Sequence, residues 1–204
     1  MNQLQLSADG RTFAYLARPC GAAGAGLNVV NLTSGQHRQW SVPRKAVVSP
    51  LSLSGNGREL TFSAGPINGV ESAVYLLDTA SSTGQVSQRS RVLVRSSRFG
   101  ADYEVGQPMI SRNGRIVYFT SEHPSPANPA EQVRSVDTST GQLRIIKTGG
   151  LFLTLAADPS VHRAIARVSG DLVTAYAEVI NFRTGKFTRL KPSFYVPRVG
   201  HYIW

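Results

Sequence analysis

Three segments of this chain repeat one short phrase: "LSADGRTFAYLA" at 6–17, "LSGNGRELTFSA" at 53–64 and "ISRNGRIVYFTS" at 110–121. In each, an alternating apolar run stops at Ser-x-Asp/Asn-Gly-Arg and then resumes. Leu4 and Leu6 precede the first turn, and Phe13 and Tyr15 follow it. Alternation of period two marks a half-buried strand, and Asp-Gly or Asn-Gly between two such runs marks a tight hairpin. A repeated hairpin excludes most folds, because each copy buries its apolar face only by stacking on its neighbours. Asp9-Gly10, Asn56-Gly57 and Asn113-Gly114 are expected to form type I′ turns, which need positive φ at both central residues.

A second landmark follows the first after 25, 27 and 27 residues: a Ser/Thr-Gly turn at Gly35, Gly84 and Gly141, with a fourth at Gly185. Before each lies a third strand, at 27–32, 73–78, 132–137 and 175–181, and after each a fourth. The third strands end at Asn31, Asp78, Asp137 and Asn181, short acceptors suited to the turn's backbone amides. In the fourth copy the first turn reads "ADPSVHR", and Pro159 rules out a plain two-residue hairpin there. That copy rests on its third and fourth strands and on "LFLTLAA" at 151–157. The expectation is an all-β chain: one propeller-type domain over 1–204, with blades of four antiparallel strands at about 2–44, 45–96, 104–148 and 150–190. Residues 191–204 form a tail or begin a further blade.

The phrases "SADGRTFAY", "SGNGRELTF" and "SRNGRIVYF" resemble the TolB-type (WD40-like) β-propeller repeat, whose hallmark reads SPDG[KR]-x-[IL]-[AV]-[FY]. The resemblance extends over nearly the whole chain. It implies a propeller, and because closed members of that family usually carry six or more blades, four blades imply an open or partial ring. It also implies a non-catalytic binding or scaffold module that presents blade loops to a protein or peptide. An alternative is the accessory propeller of a prolyl-oligopeptidase-like hydrolase without its catalytic domain. A homodimer or further blades from elsewhere would close the ring.

Composition narrows function less. The formal charge is +10, but its basic residues are spread along the chain. The densest run, "RSRVLVRSSRF" at 89–99, carries Arg89, Arg91, Arg95 and Arg98, with Arg89, Arg91 and Arg95 expected on one strand face. This run supports a nucleic-acid or acidic-protein partner, or an edge strand protected by charge. Trp40, Tyr202 and Trp204 are candidates for an exposed aromatic contact patch. Cys20 is the one cysteine, and none of the four histidines stands at zinc-ligand spacing from it or from another. No G-x-S-x-G elbow and no P-loop is present, and "SEHPSP" at 121–126 sets Glu122 beside His123 with no third acid–base residue that the sequence identifies. The reading is therefore of no catalytic, metal or cofactor set. No charged-then-apolar leader opens the sequence, so the expectation is a cytoplasmic chain as written, or an exported or anchored one if Met1 lies inside a longer gene.

Overall fold

The computed structural model describes residues 4–17, 24–43, 46–66, 71–123, 131–149, 151–157, 162–169 and 175–190. Blade 1 comprises β1 (Leu4–Leu6), β2 (Thr12–Ala17), β3 (Ala25–Asn31) and β4 (His37–Val42). Blade 2 comprises β5 (Ala46–Leu53), β6 (Glu59–Pro66) and β7 (Ala73–Asp78). A short β8 (Gly84–Gln85) and the single-turn helix α1 (Val86–Arg89) then intervene before its fourth strand, β9 (Arg91–Arg95). Blade 3 comprises β10 (Glu104–Ile110), β11 (Ile116–Glu122), β12 (Gln132–Asp137) and β13 (Leu143–Thr148). Blade 4 comprises β14 (Leu151–Ala157), β15 (Arg163–Ser169), β16 (Ala175–Asn181) and β17 (Phe187–Arg189). Within each blade the four strands pair antiparallel in chain order.

The first turns differ from the type I′ expectation. Only Gly10, Gly57 and Gly114 take positive φ there, and Asp9, Asn56 and Asn113 do not. The cause is the serine two residues earlier. Ser7 Oγ accepts the Thr12 amide and donates to Asp9 Oδ1, which also accepts the Arg11 amide. Ser54 with Asn56, and Ser111 with Asn113, repeat the same three bonds. The side chain thus holds Asp or Asn right-handed and leaves the glycine alone to reverse the chain.

The second turns close between an Asn or Asp carbonyl and the amide of a left-handed glycine four residues on: Asn31 to Gly35, Asp137 to Gly141, Asn181 to Gly185. The carboxamide or carboxylate of that first residue also accepts two turn amides in each. Blade 2 departs from the expectation. Four residues after Asp78 stands Ser82, not glycine, so this closure is unavailable. Gly84 is not a turn residue. It belongs to β8, which pairs parallel with β4 of blade 1.

Successive blades stack face to face, each presenting a front face to the next blade and a back face to the previous one. Leu27, Val29 and Trp40 of blade 1 pack on Leu53, Leu60 and Phe62 of blade 2. Val74 and Val94 pack on Ile110, Val117 and Phe119 of blade 3, and Val133 packs on Ala164 and Ile180 of blade 4. The first strands run side by side along the inner edge, where Asp9 N donates to Gly55 O and Gly55 N to Arg112 O. Among the described residues no core cluster joins blade 4 to blade 1, and no closed ring forms.

Candidate functional site

Phe62 on β6 and Tyr75 on β7 are directly opposite in register, and their rings stack at 5.2 Å and 9°. The half-buried Tyr75, backed by the fully buried Phe62, floors an open pocket of about 410 Å³ on the back face of blade 2, bordered by Pro43 at the end of blade 1. Val86 of α1 closes one wall, and Ala46 and Val48 of β5 another. Val86 reaches the pocket through a detour, since blade 2 has no glycine to close its second turn. The chain instead runs over the outer edge of blade 1, where Arg38 Nη1 donates to Thr79 O and Ser81 O. Trp40 Nε1 donates to Ser82 O along the same path. α1 is thereby delivered against the seam.

At the pocket mouth Arg95 and Glu71 pair at 3.6 Å, both about half exposed, and Ser97 Oγ donates to the other Glu71 oxygen at 2.6 Å. The site therefore offers an apolar floor with one positive and one negative group at its rim.

The structure separates the four arginines of 89–98. Arg89 lies in α1, not on a strand, so it shares no strand face with Arg91 and Arg95. Arg91 Nη2 donates at 2.6 Å to Thr138 O of blade 3 and clamps the seam of blades 2 and 3. Arg95 is at the pocket rim, and Arg98 is exposed in a 3₁₀ turn over Ser96–Arg98. Trp40 is not an exposed contact residue; it is fully buried at the seam of blades 1 and 2, because its ring fills the space the detour encloses. Tyr202 and Trp204 lie outside the described residues.

A second cluster gathers residues that sequence spacing leaves apart. Arg134 stacks 4.2 Å over Phe99 and donates to Ser121 Oγ, and Tyr103 meets His123 edge-on at 5.0 Å. Glu104 and Glu122 are cross-strand neighbours, and burial first, then the Glu104 charge, pushes the Glu122 carboxyl up. The turn carboxylates go the other way. The Ser7 hydroxyl, then the Arg11 amide, lowers Asp9, and the Ser139 hydroxyl and neighbouring amides hold Asp137 far below the usual range. These are turn-forming roles. Among the described residues no group of three or more His, Cys, Asp or Glu converges to hold a metal ion, and no helix is long and apolar enough to cross a membrane.

No family model and no curated protein matches this chain. Solved structures do. TolB from Acinetobacter baumannii superposes with a TM-score of 0.66 at 17% identity, over 93% of this chain and 43% of that one. The fold is that of a TolB-like β-propeller. The β-propeller domain of the Trilobed protease from Pyrococcus furiosus, described as having an open velcro topology, matches with a TM-score of 0.57 at 10% identity. That match covers 95% of this chain and 58% of the domain. A chain of the nidogen/laminin complex matches with a TM-score of 0.60 at 13% identity, over 95% of this chain and 65% of that one. This propeller chain thus spans less than two thirds of each of these relatives. The repeat motif pointed to the propeller, whereas the Val86 wall of the pocket arises from the 79–90 detour, whose one visible sign is the missing glycine at 82.

Proposed function

We propose that this propeller is a non-catalytic binding module that takes an apolar side chain of a protein or peptide partner between blades 1 and 2. The observation that carries the reading is the construction of the pocket: the half-buried Tyr75 ring, backed by the stacked and buried Phe62, under the half-exposed Glu71–Arg95 pair. Aromatic floors give large contact area at low entropic cost, and a mixed-charge rim can meet either end of a backbone dipole. The likeness to a chain from a protein–protein complex is in keeping with it. Nucleic acid is the weaker reading, because Arg91 and Arg95 are engaged by Thr138 and Glu71.

The test is a displayed peptide library panned against the purified chain. Enriched peptides carry an aromatic or aliphatic anchor, and their affinity falls at least about tenfold in Tyr75→Ser and in Arg95→Glu, a loss of about 1.4 kcal/mol. Arg98→Ala leaves affinity unchanged. Peptides that bind Tyr75→Ser as tightly as the parent, with the strand signal in circular dichroism intact, would refute the pocket.

A further inference from the structure

Blade 1 carries a finished blade-to-blade surface on a side that no other described blade covers. The repeat makes this measurable, since each position has counterparts in other blades. Leu4 and Leu6 are 59% and 57% exposed, while their counterparts Leu51 and Leu53 are 2% and 8% exposed, packed against blade 1. Phe13 and Tyr15 are half-buried and stack on one another, while their counterparts Leu60, Phe62, Val117 and Phe119 are fully buried between blades. Leu32, directly after Asn31, is 54% exposed, but Phe182, directly after Asn181, is 4% exposed and stacks at 3.9 Å on Tyr118 of the preceding blade. Five apolar side chains on one face therefore lack the cover that every internal seam provides.

The internal seams also say what the cover looks like. It is the front face of a blade, with the apolar residues of its third strand and an outer-strand side chain that reaches the second turn of the blade behind. Arg38 reaches Thr79 O at the first seam and Arg91 reaches Thr138 O at the next. The chain itself carries one such face, that of blade 4, which joins no core cluster beyond blade 3 among the described residues. On blade 4, Ala177 and Val179 are only half-buried, whereas their counterparts Leu27 and Val29 are buried against blade 2. Thr188 stands where Arg38 and Arg91 stand, being paired with Val179 as Arg38 is with Val29.

We propose that the back face of blade 1 binds a second copy of this chain, head to tail, through the front face of that copy's blade 4. The contact is heterologous, so it closes into a ring or continues as an open chain according to the rotation it imposes. It does not depend on the peptide pocket, which lies one seam away.

The test is the mass of the full chain by light scattering over a range of concentrations. The parent gives at least twice the monomer mass of 22.0 kDa, and Leu6→Glu and Leu32→Glu each return it to one chain with the strand signal retained. Ile145→Glu, at an equally exposed leucine-sized position on blade 3, leaves the mass unchanged. A second measurement fixes the orientation. Chains bearing Cys20→Ser with Leu32→Cys, mixed with chains bearing Cys20→Ser with Thr188→Cys, cross-link to each other through a short bis-maleimide. A parent that stays monomeric overturns the proposal, as does association that survives Leu6→Glu and Leu32→Glu. Failure of positions 32 and 188 to cross-link in an associated sample overturns the head-to-tail arrangement.

Discussion

Ser54 is fully buried although it sits at a turn, because its hydroxyl satisfies the Glu59 amide and caps Asn56 at once. Ser54→Ala leaves that part-buried amide without its partner, with an expected cost of about 1 kcal/mol in urea unfolding. The turn glycines are not equivalent. A Cβ at Gly10 meets open space, while one at Gly57 collides with Thr12 of the preceding blade. Gly10→Ala is expected to cost about 1–2 kcal/mol for its left-handed backbone, and Gly57→Ala more, because Thr12 must move as well. The carboxylates set opposite pH slopes. Asp9 is lowered, so its contribution is present above the ordinary carboxylate range and is lost as pH falls through its folded value. Asp9→Asn removes that slope while keeping the acceptor, as Asn56 and Asn113 already do. Glu122 is raised, so its ionisation disfavours the fold as pH rises through its folded value. Glu122→Gln is therefore more stable than the parent at neutral pH and equal to it in acid, read from urea midpoints.

Among the elements, the outer strands carry the joints between blades. Lys147 of β13 and Glu178 of β16 form a buried ion pair across the seam of blades 3 and 4, and the Lys147 ammonium lies 3.8 Å over the Phe187 ring. Lys147→Met leaves Glu178 buried without its cation and is expected to cost about 3–5 kcal/mol. The double change Lys147→Met/Glu178→Leu recovers most of that, since it removes both charges together. A double-mutant cycle by denaturant unfolding measures the difference. The strand pattern made these elements legible, because period-two alternation and turn residues are local. The pairing of β8 with β4 was not legible: two residues have no periodicity, and the partner is more than 40 positions away. For the same reason Trp40 read as an exposed aromatic, since its cover comes from that remote segment.

At the scale of the molecule, stability is a sum over blades and seams, as in other stacked repeats. Blades 2 and 3 each have two seams, while blades 1 and 4 have one described seam each. Amide exchange is expected to be slowest in β6, β7, β11 and β12 and faster in β2 and β15, read by mass spectrometry of peptic fragments. If β2 exchanges as slowly as β6 in the associated chain and faster in Leu6→Glu, the outer face of blade 1 is covered by association.

The sequence by itself determined the four-blade repeat, its strand alternation, the turns other than that at Gly84 and the propeller class, because each follows from residues within a few positions of one another. It also marked the alternating apolar faces of each blade, since a repeat carries the same inward pattern whether or not a neighbour is present. Tertiary structure alone decided which of those faces are covered, where the arginines point and that a pocket opens between blades 1 and 2. Those outcomes depend on contacts between distant segments, and one absent glycine after Asp78 redirected a dozen residues over a neighbouring blade.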